Sequence, residues 1–310
     1  MRDLTVAAVN FRAEPGAIDD NLSRTEAWVA RLADRGVEMV CFPEMSLCGY
    51  DHSPRARSFA QPVPGPITER LETLAARQGA VVLAGLAETD AAGRLFISQV
   101  IVGPEGLIGT YRKAHLGPFE RETFSAGDEV PVFATDVCTF GVQLCYDTHF
   151  PEMSSIQGLA GAEVLFFPFA SPHGDPQTRR ERIMRYLPAR AYDNACYVVT
   201  CNLTGQSAAG SRRSFPGTAL IVSPKGELMN EQVGWEEGAA VATLSAAELR
   251  RIGGTRMGHF HDHRRPELYG ALCRPTAEQH PSPGGERKAI PESEAGASTS
   301  LPDSTKEIVE

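Results

Sequence analysis

The chain has 310 residues, a formal net charge of −9, and a composition of 42% hydrophobic and 22% charged residues. This length and composition predict one large α/β domain or two smaller ones. The mild acidity and the lack of a basic patch exclude a typical nucleic-acid-binding protein, and no apolar run approaches the roughly 20 residues that a membrane-spanning helix needs.

The amino terminus and the cysteines together predict a cytoplasmic protein. Residues 1–4 lead directly into an apolar strand, without the apolar core and cleavage site of a signal peptide. The seven cysteines are an odd number and lie mostly in apolar runs, which is typical of reduced thiols rather than of a disulfide framework. They form no Cys-x-x-Cys pair, so we expect no zinc site.

Strand and helix patterns alternate along the chain, which predicts two sheets rich in βαβ units. Apolar runs bounded by turn residues predict strands over 4–9, 37–42, 80–87, 95–102, 107–111, 130–133, 140–144, 164–168, 196–201, 218–222 and 239–243. Periodicity predicts helices over 20–33, 67–77, 153–160 and 178–194 and a helical turn over 245–251. Asp20 or Asn21 is expected to cap the first helix. Turn residues at 103–106 and 224–227 predict hairpins.

The last long helix and the carboxyl terminus have distinctive compositions. The arginines of the helix over 178–194 are expected to be solvated or to face a second subunit; they are Arg179, Arg180, Arg182, Arg185 and Arg190. Near residue 275 the composition shifts to Pro, Ser, Gly and Glu, with little to bury. We therefore expect one folded domain over 1–276 and a disordered acidic tail over 277–310.

Three chemically active side chains follow predicted strands. Cys145 ends the strand over 140–144, and Pro151 stands where the next helix can begin. Such a strand-to-helix elbow presents a side chain at the carboxyl edge of a sheet, so Cys145 is a candidate nucleophile, with a buried structural cysteine as the alternative. Glu44 follows a fully apolar strand and Lys113 follows a hairpin, although a lone lysine is more often a surface residue.

These three residue types suit one another chemically. A thiol of ordinary pKa is mostly protonated at pH 7 and needs a base or a positive neighbour to react. Glu44 could act as that base, and Lys113 could stabilise both a thiolate and an oxyanion. Their spacing in the sequence does not by itself pair them.

Three segments resemble motifs of the nitrilase superfamily of carbon–nitrogen hydrolases, in order and spacing, within residues 3–271. The segments are Phe42-Pro43-Glu44 with Gly49-Tyr50, Tyr111-Arg112-Lys113 with His115-Leu116, and Cys145-Tyr146-Asp147 with Phe150-Pro151-Glu152. Residues 264–269 also resemble the family's closing strand motif. The resemblance implies an α/β fold: a four-layer αββα sandwich of two mixed β-sheets flanked by helices.

The resemblance also implies a catalytic set of Glu44, Lys113 and Cys145. A fourth catalytic residue, seven positions before Gly127, would be Glu120, with Glu122 as a nearby alternative. The backbone N–H of Tyr146 would help to bind an oxyanion. The family commonly forms homodimers, here through the helices over 153–160 and 178–194, and the resemblance implies neither a cofactor nor a metal.

The implied reaction is hydrolysis of a non-peptide C–N bond in a small linear amide or N-carbamoyl compound, giving an acid plus ammonia through a thioester on the cysteine. A nitrile-hydrolysing enzyme is a variant of this reading. A non-catalytic binding member of the same fold and a papain-like Cys–His hydrolase are the alternatives from other classes.

Substrate recognition is less clearly encoded in the sequence. Four residues after the cysteine, where carboxylate-recognising members tend to have Arg, this chain has His149, so the resemblance does not supply a guanidinium for a substrate carboxylate. His149 remains a candidate substrate-binding residue, since a similar His occurs in some ureido-acid hydrolases of the family; a structural residue that caps the helix is the alternative. Tyr50, Ser171 and His173 lie on loops that are expected to line the pocket. His259, His261 and His263 alternate as metal ligands on a strand could, but they are far in sequence from the catalytic set, and we expect no metal site there.

Overall fold

The computed structural model of the protein describes residues 1–172, 174–206, 213–253 and 259–273. The strands are β1 (Leu4–Asn10), β2 (Met39–Cys41), β3 (Val81–Thr89), β4 (Leu95–Gly103), β5 (Gly106–Arg112), β6 (Val132–Ala134), β7 (Thr139–Val142), β8 (Val164–Phe169), β9 (Tyr197–Asn202), β10 (Gly205–Gln206), β11 (Ser214–Phe215), β12 (Gly217–Val222), β13 (Leu228–Gly234) and β14 (Gly238–Leu244). The helices are α1 (Ile18–Ala33), α2 (Pro66–Gln78), α3 (Pro151–Leu159), α4 (Pro176–Met184), α5 (Leu187–Asn194) and α6 (Ala246–Gly253). Short 3₁₀ helices are formed by Pro54–Ser58, Cys145–His149, Phe260–His263, Pro266–Leu268 and Gly270–Cys273.

Two six-stranded sheets have the same plan. One runs β14-β1-β2-β3-β4-β5 and the other β13-β12-β9-β8-β7-β6. In the first sheet β1, β2 and β3 are parallel, and in the second β7, β8 and β9 are parallel. The other pairings within each sheet are antiparallel, including the predicted hairpins β4–β5 and β12–β13 and the pair β6–β7. Both sheets are therefore mixed, and the parallel strands of each direct their carboxyl ends to one edge.

The two sheets pack face to face with helices on the outside, as expected. Residues of both sheets and of α1 and α2 form one buried apolar cluster, and the Sγ atoms of Cys41 on β2 and Cys201 on β9 lie 3.9 Å apart across the sheet interface. A second cluster joins the other face of the β8–β9 sheet to α4 and α5. Alternate residues of β8 belong to the two clusters, so both faces of this strand are buried. This explains why β8 is apolar along its whole length.

The predicted helix over 178–194 is wrong as a single element. The structure divides it into α4 and α5, with a break at Arg185 and Tyr186. Pro188 explains the break, because proline lacks the backbone N–H and disfavours helical geometry in the residue before it. A proline is tolerated in the first turn of a new helix, and that is where Pro188 stands.

Two further predictions at element ends are corrected by side-chain packing. Helix α1 begins at Ile18, and neither Asp20 nor Asn21 caps it. Asn21 is buried inside the helix, and its side chain forms hydrogen bonds to the backbone of Glu14, on the incoming loop. Residues 264–269 form a 3₁₀ helix, Pro266–Leu268, rather than a strand.

The chain divides into a unit of Met1–His263, which carries all the described strands, and a unit of Arg264–Glu310. The described part of the second unit contains the last two 3₁₀ helices. The predicted tail over 277–310 lies outside the described residues. Among the helices that are described, none is both long and apolar enough to cross a lipid bilayer.

Glycine 85 lets the loop that carries Glu44 lie directly on β3. Met45 adopts a φ of 54°, and the N–H of Leu47 donates a hydrogen bond to the carbonyl of Gly85 at 2.8 Å. A Cβ atom at Gly85 would lie 2.3 Å from the backbone nitrogen of Met45. Only glycine therefore allows this approach.

We predict that Gly85→Ala lowers the free energy of unfolding by roughly 1–3 kcal/mol, because the added methyl must displace the backbone around Met45. Gly234→Ala is the control, since a Cβ there would meet nothing within 4 Å. Its effect should stay within about 0.5 kcal/mol. Urea denaturation followed by circular dichroism measures both, and equal effects would contradict the close approach.

Candidate active site

The charged side chains of Glu44, Lys113 and Glu120 meet in the interior of the protein. Glu44 follows β2, Lys113 follows β5, and Glu120 lies on the loop after Lys113. The Nζ atom of Lys113, directly after β5, donates hydrogen bonds to Glu44 Oε1 at 2.7 Å and to Glu120 Oε1 at 2.8 Å. The side chains of Lys113 and Glu44 are 1% and 0% exposed. The structure thus brings together Glu44 and Lys113, which lie 69 residues apart in the sequence.

Glu120 rather than Glu122 belongs to this cluster. Its Oε1 also accepts a hydrogen bond from the hydroxyl of Tyr50 at 2.8 Å, and its Oε2 accepts one from the backbone N–H of Gly117 at 2.7 Å. Glu122 is exposed. Each oxygen of Glu120 is therefore held, and the carboxylate fixes both the ammonium of Lys113 and the side chain of Tyr50.

Glu44 differs from Glu120 in having one oxygen without a partner. Its Oε1 binds Lys113, whereas Oε2 is buried and has no hydrogen-bond partner among the described residues. A buried carboxylate oxygen that accepts no hydrogen bond is uncommon in native proteins and costs free energy. The free oxygen is available to accept a proton.

Cys145 begins the elbow between β7 and α3. It has a φ of 44°, in the left-handed region that residues other than glycine rarely adopt. It opens the 3₁₀ helix Cys145–His149, and α3 begins at Pro151 as the sequence predicts. The N–H of Tyr146 lies in the first turn of this 3₁₀ helix, where backbone N–H groups have no acceptor within the helix.

Asp147 holds the elbow in place, a role that the sequence did not reveal. Its fully buried carboxylate accepts hydrogen bonds from the N–H of Leu144 at 2.9 Å, the hydroxyl of Tyr111 at 2.7 Å and the N–H of His115 at 2.7 Å. Tyr111 is on β5, two residues before Lys113. Asp147 therefore ties the cysteine elbow of one sheet to the lysine strand of the other.

Burial and charge set the proton affinities of the cluster. Burial raises the pKa of Glu44 to about 7, although the Lys113 ammonium opposes that rise. Burial and then the Glu44 carboxylate raise the pKa of Cys145 to about 12, against the charges of Lys113 and Arg179. Burial acts to lower the pKa of Lys113, but Glu44, Cys145 and Glu120 outweigh it and the pKa is raised. At neutral pH the lysine is charged, the thiol is protonated, and the Glu44 carboxyl titrates.

The structure places His149 beside aromatic rings and arginines at the exposed end of the elbow. Its ring centroid lies 5.6 Å from that of Tyr146 and 5.3 Å from that of Tyr186. Partial burial lowers the pKa of His149, and the Arg182 and Arg179 charges lower it further. A neutral imidazole is therefore favoured.

Among the arginines of α4 and α5, the prediction of solvation is wrong for Arg179. This residue is 4% exposed, whereas Arg182 is exposed. Arg179 lies one helical turn before the buried Ile183, so both side chains lie on the same face of α4. That spacing was the signal by which the sequence could have placed Arg179 inside.

The remaining candidate residues lie on loops. Tyr50 contacts Glu120, as described above. Ser171 is buried just after β8, where its backbone N–H and C=O bind the side chain of Asn202 at 2.9 and 3.1 Å. His173 lies outside the described residues.

In the described parts of the chain, no group of three or more His, Cys, Asp or Glu side chains is arranged to hold a metal ion. Residues His259, His261 and His263 do not lie on a strand, since Phe260–His263 is a 3₁₀ helix.

The fold and the cysteine elbow can be compared with known proteins. A family model described as carbon–nitrogen hydrolase matches residues 5–253. The chain therefore belongs to the carbon–nitrogen hydrolase family, and the resemblance to the nitrilase superfamily is confirmed. It is an enzyme of the class that hydrolyses C–N bonds.

Its relatives carry several names. A protein named nitrilase from Pyrococcus abyssi is 33% identical over 270 residues, covering 85% of this chain and 98% of that one. An omega-amidase from Xenopus tropicalis is 30% identical, covering 81% and 92%. Among solved structures, a cysteine-to-alanine mutant of the amidase from Nesterenkonia sp. AN1 in complex with butyramide has a TM-score of 0.71 and 25% identity, covering 86% of this chain and 96% of that one.

The pKa values predict how the reactivity of Cys145 depends on pH. A carboxyl whose pKa is raised to about 7 is protonated below that pH and can accept the thiol proton only above it. Alkylation of Cys145 by iodoacetamide should therefore rise along a limb centred near the pKa of Glu44, and Glu44→Gln should slow it by at least roughly tenfold and remove the limb.

The exposed Cys273 provides an internal comparison in the same reaction, with both peptides followed by mass spectrometry. Glu69→Gln, a change on the exposed side of α2, is the control variant. If Glu44→Gln left the profile of Cys145 unchanged, Glu44 would not be its base.

Proposed function

We propose that the protein is an amidase that cleaves a small linear amide or N-carbamoyl compound to an acid and ammonia through a thioester on Cys145. One observation carries this proposal: a buried Glu44 carboxylate has one oxygen fixed by Lys113 and the other unpaired, and its charge raises the pKa of the Cys145 thiol. The named activities of the relatives, which include omega-amidase, and the butyramide complex of a structural neighbour support a small amide as substrate.

The first half-reaction forms the thioester. Glu44 Oε2 takes the proton of the Cys145 thiol as Sγ attacks the carbonyl carbon, forming the C–S bond of a tetrahedral intermediate. The proton then passes from Glu44 to the substrate nitrogen, the C–N bond breaks, and ammonia leaves. Because burial and the Glu44 carboxylate raise the pKa of Cys145 to about 12, proton transfer during attack is favoured over proton transfer before it.

The second half-reaction uses the same base. Glu44 takes a proton from water, the oxygen attacks the thioester carbon, and the C–S bond breaks as the proton returns to sulfur. The Lys113 ammonium and the N–H of Tyr146 would bind the oxyanion in both halves, each contributing on the order of 3 kcal/mol to transition-state stabilisation. Glu120 and Tyr50 keep Lys113 in position between the two carboxylates.

Competing functions make different demands on the site. A nitrile substrate has some support, because one relative is named nitrilase. A non-catalytic member would have no need of an unpaired base inside its core. A papain-like mechanism would require His149 to take the thiol proton. Partial burial and then the nearby arginine charges lower the pKa of His149, which disfavours the imidazolium that this transfer would form, and its ring contacts Tyr146 and Tyr186.

We predict that the protein releases ammonia from at least one member of a panel of short amides, N-carbamoyl compounds and the matching nitriles. Cys145→Ala should reduce this release by at least about 10⁴-fold, since no covalent intermediate can form. Cys48→Ala, which removes a buried thiol elsewhere in the core, is the control and should retain activity. Ammonia release by the Cys145→Ala protein at the wild-type rate would refute the mechanism, and preference for the nitrile arm would favour the nitrilase variant.

We also propose that the protein is a homodimer through α3 and α5, the adjacent helices outside the β7–β9 face. Four large apolar residues of α3, α5 and the adjoining 3₁₀ helix Phe260–His263 are about half exposed: Ile156, Leu159, Tyr192 and Phe260. The rings of Tyr192 and Phe260 lie 5.4 Å apart, and α3, which carries Ile156 and Leu159, packs beside α5. Contiguous apolar patches of this kind mark protein interfaces.

Replacing both α3 residues, Ile156→Glu and Leu159→Glu, should convert the dimer to monomer, because the interface would bury unpaired carboxylates. Sedimentation velocity at micromolar concentration measures the change. Met229→Glu, at a similarly exposed apolar residue on β13, is the control and should leave the dimer intact. A wild-type protein that sediments as a monomer at these concentrations would contradict the proposal.

A further inference from the structure

Arg179 is the buried charge that the mechanism above does not use. Helix α4 is largely polar, and within it only Arg179 and Ile183 are buried. The guanidinium of Arg179 lies over the ring of Phe169 on β8, with 4.6 Å between the guanidinium carbon and the ring centroid. Arginine is almost never fully buried unless it is paired, so the buried guanidinium of Arg179 is expected to have a partner.

In the described parts of the chain the Nε and Nη2 atoms of Arg179 are buried and have no hydrogen-bond partner. These two nitrogens form one edge of the guanidinium, and their N–H bonds point in the same direction. That edge is the one that binds both oxygens of a carboxylate in a bidentate pair. Among the described residues, the groups that shift the pKa of Arg179 besides burial are Tyr186, Cys145 and Arg182, and none of them is Asp or Glu.

The unpaired edge of the Arg179 guanidinium lies near Cys145. Cys145 and Tyr186 both pack against the apolar cluster that includes Phe169, and Arg179 stacks on that phenyl ring. Arg179 and Cys145 therefore lie against the same apolar cluster, whereas the carboxylates of Glu44 and Glu120 bind Lys113.

We propose that Arg179 is a specificity-determining residue that binds a carboxylate carried by the substrate at the end opposite its scissile amide. The inference rests on the proposed function and narrows its substrate class to amides with a carboxylate a few atoms away. Two compound types share this chemistry: monoamides of short dicarboxylic acids, and N-carbamoyl amino acids. The guanidinium comes from α4, which accounts for the tolerance of His149 in place of Arg on the elbow.

The test compares matched charged and neutral substrates in wild type, Arg179→Met and Arg179→Lys. Succinamate, glutaramate and N-carbamoyl-β-alanine carry the carboxylate, and levulinamide replaces the carboxylate of succinamate by a methyl ketone. Arg179→Met should lower kcat/KM for the preferred charged substrate by about 100-fold, mainly through KM, because a bidentate contact held in both the bound and transition states is lost. Its effect on levulinamide should be less than about threefold.

Arg180→Met is the control, because it removes a neighbouring charge that pairs at the surface with Glu231. It should change both substrates by less than about threefold. Arg179→Lys should recover part of the charged-substrate activity, as a single ammonium replaces the fork. The charged compound that the wild-type enzyme prefers shows whether the substrate is a monoamide of a dicarboxylic acid or an N-carbamoyl amino acid.

Two results would overturn the inference while leaving the proposed function intact: a wild-type protein that does not prefer any charged amide to levulinamide, or an Arg179→Met protein that loses both activities equally. Release of no ammonia from any amide would instead count against the proposed function. In that case the binding of succinate, a dicarboxylate without an amide, tests the role of Arg179 independently of catalysis. It should raise the melting temperature of Cys145→Ala but not of Cys145→Ala with Arg179→Met, and equal shifts would refute the role.

Discussion

A single buried ammonium between two carboxylates organises the site. Lys113 binds Glu44 and Glu120 with all three side chains almost fully removed from water. One positive charge cannot neutralise two negative charges in a medium of low dielectric constant, so burial and charge together raise the pKa of Glu44 to about 7. The same imbalance leaves one Glu44 oxygen unpaired. The features that cost stability here are those that make a base available at neutral pH.

The sandwich makes this cluster possible because each sheet brings its strand ends to the same place. Glu44 follows β2, Lys113 follows β5, and Cys145 follows β7 of the facing sheet. Asp147 links the elbow to Tyr111 on β5, so the two sheets are joined by hydrogen bonds at the site as well as by apolar packing. Helix α4 supplies Arg179, whose Nε and Nη2 atoms are buried without a partner among the described residues.

Most strands, the hairpins and the elbow could be predicted from the sequence, because apolar runs and turn residues are local signals. Errors occurred where a distant contact outweighed a local pattern. Asn21 was read as a cap, but its side chain binds the loop at Glu14. The helix over 178–194 has arginines throughout, and that regularity concealed the break that Pro188 imposes. Arg179 was grouped with the exposed arginines, although its position one helical turn before Ile183 puts it on the buried face of α4.

By itself the sequence determined the family, the order of most strands and helices, and the residue types of a thiol hydrolase with an acid and a lysine. Only the tertiary structure decided which of these residues meet. It separated Glu120 from Glu122, which differ by two positions in the chain but point to the interior and to solvent respectively. It also showed which charges lack partners. The physical reason is that burial and pairing depend on contacts between residues far apart in the chain, and local sequence patterns carry no record of those contacts.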